Sequence, residues 1–250
     1  SVGSTSGVLV DTTAPAVTSV AVPVNSTYVT GQNLDFTIHF DETVFVTGSP
    51  QIALTVGSST VYASYVSGSG SSAVTFRHTV QSGENDADGI TVGTLGLNGG
   101  ALKDAAANNA TLTLNSVGST SSVLVDAAAP TVTSLAVPAA ATYIAGQTLN
   151  FTVNFSEAVT VDTSGGTPRL ALTLGSSTVY ASYVSGSGST ALNFSYTVQA
   201  GDNDSDGISV GTLSANGGTL KDAAGNDATL TLNSIASTSA VLVDTSAPVV

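Results

Sequence analysis

Hydrophobic residues recur at every second position along this chain, in short runs separated by turn signals. Leu34, Phe36, Ile38 and Phe40 alternate with polar residues, and the run 170–174 follows the same rule. A period of two predicts strands that have one buried face and one exposed face. The SGSG runs and other glycine-containing turns separate these strands. About seven short strands in each of two units predict an all-β fold built from antiparallel sandwiches.

The chain contains internal repeats. The segment VYASYVSGSG occurs at 61–70 and again, unchanged, at 179–188. The second copy has a three-residue insertion within 162–167. Because the opening eleven residues match 116–126 and 234–244, we expect a piece of a longer array. The predicted divisions are a last strand of a preceding repeat at 1–10, repeats at 11–126 and 127–244, and the start of another repeat at 245–250.

The alternation also predicts where acidic residues lie. In the first repeat it places strands at 16–22, 34–40, 51–56, 61–67, 73–80 and 90–97. Of the acidic residues, only Asp35 falls inside a predicted strand, so the others are expected in loops and linkers. The segment 220–227 has helical propensity, but it is long enough for one turn at most.

Charge and composition exclude several classes of partner. The net charge is -13, from 17 acidic and 4 basic residues. Phosphate binding needs Lys and Arg, so we expect no nucleic-acid partner and no attraction to an anionic membrane. No hydrophobic run approaches the ~18 residues of a membrane span, so no membrane insertion is expected. The absence of Cys rules out disulfides, and the absence of Cys and Met together suits an exposed extracellular protein.

Two acidic loops carry the clearest chemical signal. In the second loop, Asp202, Asp204 and Asp206 alternate before Gly207, which is the front half of a calcium loop. The first loop has Glu84, Asp86 and Asp88 before Gly89. Such close carboxylates repel one another unless a cation lies among them. The bidentate Glu that would complete an EF-hand is replaced by leucine in both copies, so other parts of the chain must complete the shell.

Strand order predicts which parts these are. The acidic loop and linker Asp of one repeat should face the acidic end of the next repeat, so that each calcium site is split between two repeats. The predicted complete site consists of Glu84, Asp86, Asp88, Asp126, Glu157, Asp222 and Asn226. The predicted half-sites consist of Asp11, Glu42 and Asp104 at one end, and of Asp202, Asp204, Asp206 and Asp244 at the other. The alternative is plainer: polar turns with solvated carboxylates, in which Asp104 and Asp222 serve as helix N-caps.

A set of motifs resembles a known family. The linker Asp followed by Ala-Pro, the Phe-Ser-Glu at 155–157, GDNDSDGI and LKDAAGN are similar to the bacterial Ig-like, cadherin-like repeats of giant surface adhesins. This resemblance implies two tandem Ig-like antiparallel β-sandwiches joined end to end, with calcium stiffening the junctions. It also implies an extracellular, cell-surface stalk or filament involved in adhesion and biofilms. The expected partners are neighbouring repeats of the same chain, other copies of it, or a host or abiotic surface.

Other functions stay open at this point. The exposed positions Tyr62 and Tyr180 are compatible with a carbohydrate- or surface-binding module, and an S-layer or sheath subunit would share the same calcium chemistry. An enzyme is not expected. The chain has no Cys, and His39 and His78 become Asn154 and Tyr196 in the second repeat.

Overall fold

The computed structural model describes residues 10–247, and these residues form an all-β structure without helices. None of the described residues therefore belongs to a helix that could cross a membrane. The chain divides into two compact units, Ser1–Ala128 and Ala129–Val250, each with its own hydrophobic core. The prediction of two tandem β-sandwiches is confirmed. The strand predicted at 1–10 lies, except for Val10, outside the described residues, as do the last three residues of the predicted start at 245–250.

The first unit contains a large sheet and a small one. The large sheet has the order β1-β3-β6-β5-β4-β8, and β9 joins it beside β3; the small sheet has the order β2-β10-β7. Every pair is antiparallel except β2 and β10, which run parallel. The strands are β1 (Val17–Ala21), β2 (Ser26–Tyr28), β3 (Asn33–Thr47), β4 (Gln51–Val56), β5 (Ser59–Ser67), β6 (Ser71–Thr79), β7 (Asn85–Asp86), β8 (Thr91–Gly96), β9 (Ala101–Lys103) and β10 (Val123–Asp126).

The second unit repeats this topology. Its large sheet is β11-β13-β16-β15-β14-β18 with β19 beside β13, and its small sheet is β12-β20-β17. The strands are β11 (Val132–Ala136), β12 (Ala141–Tyr143), β13 (Thr148–Asp162), β14 (Arg169–Leu174), β15 (Ser177–Ser185), β16 (Ser189–Thr197), β17 (Asn203–Asp204), β18 (Ser209–Ser214), β19 (Thr219–Lys221) and β20 (Val241–Asp244).

The alternation in the sequence builds the core as predicted. Leu34, Phe36 and Ile38 are fully buried, and the polar residues between them face outward. Phe76 lies in the same core, where the ring of Tyr65 meets it edge to face at a centroid distance of 6.2 Å. Burying large apolar side chains of this kind stabilises a fold by about 1.5–3 kcal/mol each.

The expectation that acidic residues other than Asp35 lie outside strands is wrong. Strand β3 continues through Asp41 and Glu42 to Thr47, and β13 continues through Glu157 to Asp162. The predicted strand ended at Phe40 because the alternation breaks there. The break is a register shift between His39 and Val44; Val44 still pairs with Ser71 of β6, and the last three residues of β3 pair with β9. Short strands also include Asp86, Asp126, Asp204 and Asp244.

The predicted helical turn at 220–227 is also absent. Residues up to Lys221 belong to β19, and the residues that follow form a turn. Within this turn Asp222 accepts hydrogen bonds from the backbone N–H groups of Gly225 and Asn226. A side chain that bonds its own backbone a few residues ahead favours turns over helices, which outweighs the helical propensity of the two alanines.

The register of β3 against β6 separates two ends of the first unit. Asn33 pairs with Thr79 at one end of this ladder, and Val44 pairs with Ser71 at the other. Glu42 therefore lies near one end, and the acidic loop 83–89 follows β6 beyond the opposite end. This separation decides which carboxylates can meet within a unit.

Gly68 and Gly83 differ in what surrounds them, although both have positive φ angles, 105° and 87°. A Cβ at Gly68 would collide with the carbonyl oxygen of Ala73, whereas a Cβ at Gly83 would meet no atom within 4 Å. We expect Gly83→Ala to lower the free energy of unfolding by about 1 kcal/mol, from backbone strain alone. Gly68→Ala should cost about 1–3 kcal/mol more, because the strand must shift. Urea titration of both variants measures the difference, and equal losses would contradict it.

Candidate metal centre

Three carboxylates converge at one end of the first unit. Oxygen atoms of Asp11, Glu42 and Asp104 all lie within 4.8 Å of one another. Asp11 belongs to the segment that leads into β1, Glu42 to the irregular part of β3, and Asp104 directly follows β9. The pairing of β9 with the far half of β3, Phe45 opposite Lys103, brings the last two together. The three predicted ligands of this end are therefore gathered in one place.

Asp104 is the fixed member of the group. Its side chain is 5% exposed and accepts hydrogen bonds from the backbone N–H of Asn108 at 2.8 Å and from its Nδ2 at 2.7 Å. Burial alone would raise the pKa of Asp104, but hydrogen bonds from Asn108 and from the backbone of Ala106 and Ala107 outweigh it and lower this pKa. The carboxylate is therefore held in its charged form.

Glu42 experiences the opposite effect. Lost hydration, followed by the negative charges of Asp104, Asp11 and Asp41, raises the pKa of Glu42 above its usual value. None of the ion pairs formed by the described residues includes Asp11, Glu42 or Asp104. The cluster is therefore electrostatically unfavourable as three bare anions, and either a proton or a cation would relieve it.

The donor set fits a hard divalent cation. It consists of carboxylate oxygens only, which suit calcium, magnesium or manganese and lack the nitrogen or sulfur ligands typical of zinc and copper. Calcium–oxygen distances of about 2.3–2.6 Å allow opposed ligands to lie about 5 Å apart, which matches this spacing. Three side chains are fewer than calcium's usual six to eight oxygens, so bidentate binding, waters or backbone carbonyls would complete the shell. The three carboxylates could therefore hold a metal ion.

The second unit repeats two members of this group. Glu157 lies in the irregular part of β13, and Asp222 directly follows β19 with 6% exposure. The Nδ2 of Asn226 donates to Asp222 at 2.8 Å, as Asn108 does to Asp104. Asn226 thus holds the Asp222 carboxylate in place, and its own predicted role as a ligand stays a prediction. Asp126, the counterpart of Asp11 in sequence, is the last residue of β10.

The acidic loops lie at the other end of each unit. Their buried carboxylates accept hydrogen bonds from backbone N–H groups of the same unit. Asp86 is 5% exposed and accepts hydrogen bonds from the backbone N–H groups of Gly57 and Gly89, both at 2.7 Å. Asp204 makes the same contacts with Gly175 and Gly207. These buried carboxylates tie the loop to the β4–β5 or β14–β15 turn. They are thus anchors of the loop, whereas Asp88 and Asp206 are exposed.

The loop also lies beside the end of the repeat, as strand order predicts. Asp126 pairs with Asn85, and Asp244 pairs with Asn203. In the second unit Asp204, Asp206 and Asp244 line one open depression. The calcium ligation predicted for these loops stays a prediction.

The first acidic residue of each loop forms a pair that sequence reasoning missed. Glu84 contacts His78 Nε2 at 2.9 Å, and its counterpart Asp202 accepts a hydrogen bond from Tyr196 at 2.7 Å. Both carboxylates also accept a backbone N–H, from Gln81 and Gln199 respectively. The signal was present in the sequence, because both members of the pair change together between the repeats. Glu84, the longer acid, contacts the shorter ring donor His78, and Asp202, the shorter acid, contacts the longer ring donor Tyr196.

Comparison of the sequence with models of known protein families and with curated proteins found no match in either case. The resemblance to bacterial Ig-like repeats of surface adhesins therefore rests on its motifs and stays a prediction.

Asp86 provides a test of the anchoring role. We expect Asp86→Ala to lower the free energy of unfolding by about 3 kcal/mol, because it leaves two backbone N–H groups without an acceptor. Asp88→Ala, in the same loop but exposed, should change it by less than about 0.5 kcal/mol. Both variants should be measured by urea titration in chelator, so that no cation contributes. Similar losses for the two would show that the loop is a solvated turn.

Tyr196 predicts a pH dependence. Burial, then its hydrogen bond to Asp202 and the charge of that residue, raise the pKa of Tyr196 to about 12. Since the folded-state pKa exceeds the unfolded value of 10.0, the neutral phenol contributes stability below pH 10 that is lost as pH rises toward 12. The difference in free energy of unfolding between the parent and Tyr196→Phe should therefore shrink across this window. A constant difference would contradict the assignment.

Proposed function

We propose that this chain is a structural extender segment of a bacterial cell-surface adhesin or filament, in which calcium stiffens the start of each repeat. The observation that carries the proposal is the convergence of Asp11, Glu42 and Asp104. These residues come from three separate parts of the repeat, so an ion bound among them would crosslink those parts.

The leading segment gains most from such a crosslink. Its backbone contacts with the sandwich include the carbonyl of Pro15, which accepts from Thr111, and the carbonyl of Asp11, which accepts from Asn108. Asp11 itself is exposed. An ion that ties Asp11 to Glu42 and Asp104 would restrict residues 11–16 against β3 and the turn after β9. In an array of repeats, restricting this segment limits bending.

Repetition supports a spacer role. Both units have the same strand order. Both also place a Glu in the long strand, and a buried Asp directly after the short strand that pairs with the end of that long strand. The sequence repeat extends the proposal of calcium ligation to Asp126, Glu157 and Asp222. Calcium is favoured over magnesium because the ligands lie on three separate segments, and a flexible shell suits calcium better than a strict octahedral one.

Glu42→Gln should change stability in opposite directions with and without calcium. In chelator at neutral pH, this variant should be slightly more stable than the parent, because it removes one of several mutually repelling charges. With calcium it should be stabilised less, because a ligand is lost. An ion at about 100 times its Kd stabilises the folded state by about 2.7 kcal/mol. Melting curves in chelator and in millimolar calcium, together with equilibrium dialysis of calcium, measure both effects.

The matched control is Asp162→Asn, which removes the same charge from an exposed position that belongs to none of the predicted calcium sites. It should leave calcium stoichiometry and the calcium-induced shift in melting temperature unchanged. Equal effects of the two substitutions would place the ion elsewhere, and equal melting curves of the parent with and without calcium would refute the proposal.

A further inference from the structure

The outward faces of the two large sheets differ in charge. In the first unit, Arg77 forms a two-pronged ion pair with Asp35, with distances of 2.6 and 2.7 Å. The corresponding residues of the second unit are Ser195 and Asn150, and Arg169 replaces Gln51. Strands β14, β15, β16 and β18 contain no acidic residue. In a chain with a net charge of -13, these four strands therefore carry one positive charge, Arg169, and no carboxylate.

Arg169 is stacked on an exposed aromatic ring. Its Cζ lies 3.9 Å from the ring centroid of Tyr180, and Tyr180 is 43% exposed. Arg169 pairs with Ser182 and Ala171 pairs with Tyr180, so both side chains project from the same face on neighbouring strands. Stacking on the ring orients the guanidinium group and reduces the rotamer freedom that a ligand would otherwise have to restrict.

The guanidinium group also has unused binding capacity. Among the described residues Arg169 takes part in no ion pair, and its Nε is buried without a hydrogen-bond partner. Because that Nε is buried, an external ligand would meet the terminal Nη1 and Nη2 of the guanidinium group, which are not buried. A carboxylate, which accepts two parallel hydrogen bonds from an arginine, is the group that fits it best.

The residues around this pair indicate what carries the carboxylate. Hydroxyl and amide side chains occupy outward positions on the adjoining strands, among them Ser182, Asn193 and Ser214. An exposed aromatic ring offers an apolar surface for the C–H face of a sugar, and the polar side chains match its hydroxyl groups. The site is an open surface rather than a cavity, which suits an internal residue of a polymer better than a small enclosed ligand.

We propose that the Arg169–Tyr180 face of the second unit binds a uronate residue of an acidic polysaccharide. Arg169 pairs with the sugar carboxylate, and the part of the Tyr180 ring that Arg169 leaves exposed contacts the sugar. The acidic class follows from the local charge, because Arg169 is the one cation on strands β14, β15, β16 and β18, which carry no carboxylate. Because one ion pair at an open surface carries the specificity, binding weakens as ionic strength rises.

The test uses the full chain and isothermal titration calorimetry with oligogalacturonate, with a neutral maltooligosaccharide of equal length as the comparison. Both are measured in chelator, because uronates bind calcium and could otherwise be bridged to acidic loops. We expect oligogalacturonate to bind and the neutral oligosaccharide to bind at least about tenfold more weakly, as loss of one charge-assisted contact predicts. Arg169→Gln, which installs the residue of the first unit, should lower affinity by a similar factor, and Tyr180→Ser should also lower it.

The matched controls are Gln51→Ala and Tyr62→Ser in the first unit, which should bind as the parent does. Circular dichroism melting curves should show that all four variants are folded. No binding of oligogalacturonate in chelator, equal binding of the neutral oligosaccharide, or equal losses in the first-unit variants would each overturn the proposal. The experiment contains no calcium, so its outcome is independent of the proposed calcium-dependent stiffening.

Discussion

The long strand β3, and its counterpart β13, is the element on which the rest of each unit depends. Its first half pairs with β1 and β6 and carries the core residues Leu34, Phe36 and Ile38. Its second half, beyond the register shift, pairs with β9. One continuous strand thus joins the sandwich core to the acidic end of the unit. Glu42 lies in the irregular stretch between the two ladders. Irregularities of this kind, such as bulges, commonly redirect a side chain.

Two physical classes of carboxylate lie at the ends of the units. Asp86, Asp204, Glu84 and Asp202 are neutralised inside their own unit by backbone N–H groups or by a neighbouring ring donor. Asp11, Glu42 and Asp104 instead face one another, and lost hydration, followed by the repulsion from neighbouring carboxylates, raises the pKa of Glu42. A carboxylate that is fully hydrogen-bonded contributes to folding without an ion, whereas clustered carboxylates oppose folding until a proton or cation joins them. The density of acidic residues in the sequence does not distinguish hydrogen-bonded carboxylates from clustered ones.

The two repeats keep the same architecture while their surface chemistry diverges. His78 with Glu84 becomes Tyr196 with Asp202, and the Asp35–Arg77 ion pair becomes Asn150 and Ser195. These exchanges leave the strand order unchanged because the core positions beneath them are conserved in size and apolarity between the copies. The exposed faces are therefore free to differ, and the position of Gln51 acquires the arginine that stacks on Tyr180.

The sequence by itself determined the all-β class, the two repeats and the main strands, because a period of two reports directly which face of a strand is buried. It also identified Asp11, Glu42 and Asp104 as belonging to one end of the repeat, since strand order alternates between ends. Only the tertiary structure decided that β3 runs through Glu42 and that Asp222 belongs to a turn, because a change of pairing partner and a local side-chain hydrogen bond leave no periodic trace. The distinction between anchoring and clustered carboxylates was likewise decided in three dimensions, because one of the backbone N–H groups that bind Asp86 and Asp204 comes from a residue far away in sequence.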